Sequence, residues 1–142
     1  MNDLTKQCKK IKTFDHDQKK NGWLLELNSV RDGFTEHIEG QVYMTVATPG
    51  AVKGFHLHKK KIDHFTCIKG KIRLVIFNGK EYQEFLMGDD NFITVKVPPT
   101  IPHAIHNIGS EDAYVVNYCH PAYDPDNLDQ EEWEGDFDFS KY

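Results

Sequence analysis

The sequence predicts an all-β domain, an antiparallel sandwich or barrel. Three observations carry that expectation. Short runs rich in β-branched and aromatic residues recur at near-regular spacing, and Gly, Asn and Pro punctuate them. No window before residue 126 holds a 3.6-residue apolar period over a helix's length.

Taken in order, residues 1–20 set Lys6, Lys9, Lys10, Lys12, Lys19 and Lys20 among Asp3, Asp15 and Asp17, and read as a solvated basic leader. Asn21-Gly22 is a turn, Trp23–Leu27 a short strand, and Asp32-Gly33 a second turn. Gln41–Thr48 is strand-like until Pro49-Gly50 ends it. Further strands are expected at His64–Ile68, Lys71–Phe77, Tyr82–Met87, Phe92–Val97, Ala104–Ile108 and Ala113–Tyr118. Lys69-Gly70, Asn78-Gly79, Gly88-Asp89-Asp90, Pro98-Pro99 and Gly109-Ser110 separate them. From Asp124 to Tyr142 the chain turns acidic. Asp126 or Asn127 there suits the cap of a short helix running to about Glu132. The tail is expected to be solvated, with Trp133, Phe137 and Phe139 packing part of it back on the domain. The expected organisation is a single domain over 1–142, its core spanning about residues 23–120, with the leader before it and the tail over 124–142.

Composition narrows the class. The 142 residues are 39% hydrophobic and 27% charged, as in a soluble globular protein, and carry a formal charge of −5. That charge argues against nucleic acid or an anionic membrane as partner. No apolar run approaches a membrane span, and Met1–Lys12 has no apolar signal core. Cys8, Cys67 and Cys119 are odd in number and lack metal-type spacing, which predicts free thiols and a cytoplasmic location.

The chemistry concentrates in two segments, Gly50–Asp63 and Val97–Asn107. His56 and His58 share a face only if the backbone is extended, with Cβ atoms then about 6.6 Å apart. Such a pair can reach one metal ion or neighbouring carbons of one small substrate. His103 brings a third imidazole; His106 has the opposite parity and is expected to face away. Asp63 precedes His64, and either one can be the inward residue. His16, His37 and His120 read as surface or loop histidines. Lys59-Lys60-Lys61 suits an exposed turn or an anion contact.

Gly50, His56, His58, Asp63 and Gly70, followed by Pro98, His103 and Asn107, resemble the two-part signature of the cupin superfamily. Asp63 stands where metal-binding cupins have Glu, and Thr100 where the second motif has Gly. The resemblance implies a cupin, jelly-roll-like antiparallel β-barrel. Lys53-Gly54-Phe55-His56-Leu57-His58-Lys59 is similar to the Arg-Gly-x-His-x-His-Lys core of dTDP-4-keto-6-deoxyglucose 3,4-ketoisomerases. Ala122–Asp126 resembles the exit segment of those enzymes and of the dTDP-4-dehydrorhamnose 3,5-epimerases. The epimerases carry one catalytic His, matching His56, and a catalytic Tyr on the last strand, which falls here near Asn117 beside Tyr118. The doubled His leans towards ketoisomerase-type activity.

The resemblance implies an isomerase on a nucleotide-linked 4-keto-6-deoxy sugar in deoxysugar or surface polysaccharide biosynthesis, without a cofactor and as a homodimer. A hydrogen beside a ketone leaves only if a base faces it and the enolate oxygen is stabilised. Imidazoles titrate near neutrality, so one can take the proton and another return it. His56 and His58 are therefore the expected acid–base pair. Lys53, Tyr43, His103, Asn117 and Tyr118 are the expected substrate contacts, Lys53 facing the diphosphate and His103 the oxyanion. No metal is expected in that reading. The alternatives are a metal cupin using His56, His58, Asp63 and His103 as a dioxygenase or isomerase, and a non-catalytic sugar-binding cupin.

Overall fold

A computed structural model describes residues 3–37 and 39–142. Among these the chain forms β1 (Thr5–Gln7), β2 (Lys9–Phe14), β3 (Lys20–Glu26), β4 (Gln41–Ala47), β5 (Val52–Leu57), β6 (Ile62–Lys69), β7 (Lys71–Phe77), β8 (Tyr82–Gly88), β9 (Ile93–Val97), β10 (His103–Asn107), β11 (Ala113–His120) and β12 (Glu131–Glu132). A single 3₁₀ turn, Val30–Asp32, is the one helical element described.

Two five-stranded antiparallel sheets face each other, ordered β1-β9-β6-β11-β4 and β12-β5-β10-β7-β8, with β2-β3 as a separate hairpin. The chain is thus all-β, with the cupin-type barrel expected of it. Period-2 alternation builds the core. β11 buries Ala113, Val115, Asn117 and Cys119 and half-exposes the residues between them. Ile72, Leu74 and Ile76 of β7 meet Phe65, Val95, Val97 and Val115 from the opposite sheet. Fully burying each such side chain contributes about 1.5–3 kcal/mol.

Three segments differ from expectation. The basic leader is partly built into the barrel: β1 pairs with β9, Thr5 opposite Val95, and the flanking Leu4 and Cys8 are buried. β6 and β10 begin earlier than expected, at Ile62 and His103, so Asp63 and His103 lie on strands. The tail forms no helix. Asp124 Oδ1 instead accepts the Asp126 N–H at 2.9 Å and the Asp124 carbonyl accepts that of Asn127 at 3.2 Å. The chain then extends, because β5 offers a free edge: Glu131 pairs with Leu57 and Glu132 with His56. Beyond β12, Trp133, Phe137 and Phe139 cover the outside of the second sheet against Phe55, Phe77 and Tyr82, which is the packing-back their aromatic character predicts. That cover explains why β7 is buried on both faces, with Arg73 and Val75 sealed beneath.

Candidate active site

β5 runs antiparallel to β10 with His56 opposite His103, but the register shifts between His103 and Ala104, so that Gly54 pairs with Ala104 and Lys53 with Ile105. Simple alternation would send Lys53 to the face opposite His56; the irregularity brings it to the same one. Gly54 permits the close approach. A Cβ there would lie 2.6 Å from the His103 carbonyl oxygen, and its φ of +112° lies outside the range of L side chains.

His56, His58 and His103 converge inside the barrel. Their ring centroids are 5.3 Å apart for His56–His58, 4.8 Å for His56–His103 and 5.6 Å for His58–His103. Phe65 packs at 5.6 Å from the His103 ring. Of Asp63 and His64, Asp63 is the inward residue, 1% exposed. Its Oδ2 stands 3.3 Å from His58 Nε2 and 3.4 Å from His103 Nε2. His64 faces outward between Phe34 and Tyr118.

Asn117, fully buried, anchors this carboxylate. Its Nδ2 donates to Asp63 Oδ1 and to the Tyr43 hydroxyl, both at 2.8 Å, while its Oδ1 accepts the His64 backbone N–H at 2.9 Å. Every hydrogen-bonding site of the amide that matters here is thereby engaged. Lys53 Nζ donates to Thr45 Oγ1 at 2.8 Å. Tyr118 lies apart from the histidines, because its neighbour Asn117 takes the inward position on β11. Its hydroxyl donates outward to the carbonyls of His37 and Glu39. His106 also faces away, accepting the Arg73 Nε–H on Nδ1 at 2.9 Å. His37 and His120 stack at 3.9 Å on the outside and, with Glu39, bring donor atoms within 4.8 Å of one another.

Backbone carbonyls fix two of the three inward rings. His58 Nδ1 is hydrogen-bonded to the Asp129 carbonyl and His103 Nδ1 to that of Ile101. A carbonyl only accepts, so each Nδ1 carries a proton and each Nε2 is the working atom. Burial, joined by the neighbouring His103 and His58, pushes His56 down to about 4. Burial also lowers His58, but Asp63 and the Asp129 carbonyl outweigh it and raise that ring above its ordinary value. Burial lowers His103 against the opposing pull of Asp63. Asp63 is pushed up by burial, yet His58, His103 and Asn117 hold it below the usual carboxylate range.

His103 Nε2 is buried with no hydrogen-bond partner among the described residues. One nitrogen from each of the three histidines lies within 4.8 Å of the others. With Asp63 beside two of them, the set fits a transition-metal site of nitrogen and oxygen donors.

Asp129 and Arg73 are missed by sequence reasoning. Asp129 sits in an acidic stretch that looks solvated, and Arg73 in an ordinary alternating strand. The only sequence signal for either is the aromatic content of the tail, which shows that the segment returns but not where.

Comparison with known proteins agrees with this architecture. The "probable low-salt glycan biosynthesis epimerase Agl13" of Haloferax volcanii is 31% identical over 97 residues, covering 63% of this chain and 62% of that protein. The capsular polysaccharide assembling protein CapF of Staphylococcus aureus superposes with a TM-score of 0.65 at 27% identity, over 68% of this chain and 29% of its own. This chain therefore spans less than two thirds of either relative's length. A dTDP sugar isomerase from Desulfovibrio desulfuricans G20 shares the fold, with a TM-score of 0.81 over 97% of this chain and 90% of its own at 17% identity. The family model described as the polysaccharide biosynthesis C-terminal domain matches residues 18–131, and the chain belongs to that family.

Proposed function

We propose that the protein is an isomerase of nucleotide-linked 4-keto-6-deoxy sugars, of 3,4-ketoisomerase or 3,5-epimerase type, in deoxysugar or polysaccharide biosynthesis. The observation that carries this reading is the convergence of His56 and His58, ring centroids 5.3 Å apart, inside the barrel beside a buried carboxylate. The epimerase name of Agl13 supports it, as does the Lys53–Lys59 motif.

In this reading His56, the most exposed of the three rings, takes the proton from the carbon beside the ketone. The C–H electron pair moves into the new C=C bond and the carbonyl oxygen becomes an enediolate oxygen. His58, clasped between Asp63 and the Asp129 carbonyl, keeps its Nδ1 proton and donates from Nε2 once that atom is protonated as well. It gives the Nε2 proton to the neighbouring carbon while the hydroxyl of the deprotonated carbon passes its proton to the enediolate oxygen, moving the keto group, or gives it to the opposite face of the same carbon, inverting it. His103 lies on the oxyanion side and stabilises it only when its Nε2 is protonated, and Lys53 offers the diphosphate a point charge. Tyr43 and Asn117 hold Asp63. Tyr118, on the outer face, acts on substrate only through a partner subunit.

A second reading is favoured by the unpartnered His103 Nε2 amid three imidazoles. His56, His58, His103 and Asp63 would hold a transition metal, which when bound supplies Lewis-acid polarisation of a substrate oxygen. The protein's own residues then position the sugar and move its protons.

The expected assembly is a homodimer. Val42, Met44 and Val46 lie exposed on β4, an edge strand, and Ile11, Phe14, Trp23 and Leu24 are exposed on the separate β2-β3 hairpin. A two-stranded hairpin is marginal alone, and an apolar patch of this kind marks an association surface. The three free buried cysteines support a cytoplasmic location. Among the described residues no helix is long and apolar enough to cross a membrane.

His56→Ala and His58→Ala should each lower turnover of a dTDP-4-keto-6-deoxyhexose by roughly 10²- to 10⁴-fold while leaving the fold intact by far-ultraviolet dichroism. Near-full activity in both overturns the assigned pair. Stoichiometric metal in the purified protein, with activity lost to chelator and restored by the ion, selects the second reading.

A further inference from the structure

The acidic tail touches a histidine side chain of the site at Asp129. Asp129 is hydrogen-bonded to His58 through its carbonyl. Its carboxylate meanwhile accepts three consecutive backbone N–H groups: Lys59 on Oδ1 at 2.7 Å, and Lys60 and Lys61 on Oδ2 at 3.0 and 2.9 Å. Three converging N–H dipoles make a nest for one anion, and here the anion comes from the protein's own tail. The nest closes the turn between β5, which leads into His58, and β6, which carries Asp63.

Beyond Asp129 the tail is held at two further places. Next to it, β12 adds to the free edge of β5 opposite Leu57 and His56, and the Trp133 N–H donates to the Phe55 carbonyl at 3.3 Å. At the far end Arg73, 2% exposed, donates to the carbonyls of Phe139 and Lys141 at 3.1 and 3.2 Å. Held from Glu131 onward and by its own carboxylate in the nest, the tail delivers the Asp129 carbonyl to one place.

Neutral His58 has acceptors at both nitrogens, the Asp129 carbonyl at Nδ1 and Asp63 Oδ2 at Nε2. The two contacts are not equal. The first is a hydrogen bond; the second, at 3.3 Å, is longer than an ordinary N–H···O bond. Losing the carbonyl would leave the ring free to place its proton on Nε2.

We propose that Asp129 is a positioning residue: its carboxylate locks the tail into the Lys59–Lys61 nest so that its carbonyl keeps the proton on His58 Nδ1 and leaves Nε2 as the reactive atom. The inference rests on His58 working in the site, and it holds whether Nε2 transfers a proton or ligates a metal. It gives the tail a task in chemistry as well as in stability.

The test is ¹⁵N–¹H correlation of the imidazole rings in full-length, metal-stripped protein, assigned with His58→Ala. At a pH where His58 is neutral, the wild type should show protonated Nδ1 and bare Nε2. Asp129→Ala should move those signals towards a mixture of tautomers and lower kcat by roughly 10- to 100-fold, with KM within about twofold. Glu131→Gln breaks only the exposed Lys59–Glu131 pair, 67% and 50% exposed, and should leave both readouts unchanged. A neutral wild-type His58 protonated on Nε2, or Asp129→Ala signals identical to wild type, overturns the proposal. Should Asp129→Ala not fold, the wild-type tautomer alone decides. Should the wild type turn over no keto sugar, the proposed function fails while the ¹⁵N pattern still judges this inference.

Discussion

Thr100 holds a φ of +70°, where a β-branched residue is strained, and its N–H donates to the His58 carbonyl at 2.6 Å. The strain thus sits on the backbone that presents a site histidine, a common place for it. Replacing Thr100 by Gly removes about 1–2 kcal/mol of left-handed strain against about 0.5–1 kcal/mol of added chain entropy. Thr100→Gly should therefore stabilise the protein by about 0.5–1 kcal/mol, raising the urea midpoint at constant slope. A lowered midpoint would contradict this. At this scale much of the site was legible. Parity alone puts His56 and His58 on one face and His106 on the other, and the motif marks Thr100 as the position that favours Gly. Two features were not legible. The choice of Asp63 over His64 depends on where β6 begins, and the return of Lys53 to the His56 face depends on a register shift that no local pattern announces.

At the scale of elements, the strap from Asp129 to Tyr142 depends on Arg73. The guanidinium donates to Glu84, to His106 Nδ1 and to two strap carbonyls, with the rings of Phe137 and Tyr142 at 5.1 and 5.0 Å. Arg73→Leu would remove the donor shared by Glu84, His106 Nδ1 and the two strap carbonyls, at about 0.5–1.5 kcal/mol for each hydrogen bond lost. The variant should lose about 2 kcal/mol or more of stability, and chymotrypsin should cut at Phe137 and Phe139 faster than in wild type. Equal cleavage rates would show that the strap holds without Arg73.

The same cluster gives a pH dependence. Burial first, and then the Arg73 charge, lower His106 below its ordinary 6.5. The unfolded chain therefore takes up the proton before the folded one. Stability from this group is complete above about pH 6.5 and declines as pH falls below it. Burial lowers His56, His64 and His103 in the same sense. His106→Gln keeps an acceptor for Arg73 but cannot titrate, so its loss of stability between about pH 7.5 and about pH 5.5 should be smaller than that of wild type. An equal or greater loss would contradict the assignment. The strands themselves were readable because Gly, Asn and Pro mark their ends. The strap was not, because its partners are an open strand edge and a buried arginine dozens of residues away, and a run of acidic residues predicts solvent.

Over the whole molecule, two apolar surfaces stay open: the outward row Val42, Met44 and Val46, and the β2-β3 hairpin. A second copy covering them would explain both. Light scattering should give a dimer mass for wild type, and Met44→Asp should shift it to monomer while far-ultraviolet dichroism stays the same. A monomeric wild type would contradict the dimer. The two-layer all-β architecture could be anticipated from punctuation and alternation. The strand order could not, since it is fixed by pairings such as β1 with β9 and β12 with β5 that join distant parts of the chain.

In the proposed reaction the converging histidines make and quench a carbanion beside a ketone. Proton NMR of a dTDP-4-keto-6-deoxyhexose incubated with the enzyme in deuterium oxide reads that carbanion out. Wild type should replace the hydrogen beside the ketone with deuterium, and His56→Ala should slow this by about 10²-fold or more. A sugar nucleotide that binds and keeps that hydrogen would contradict it.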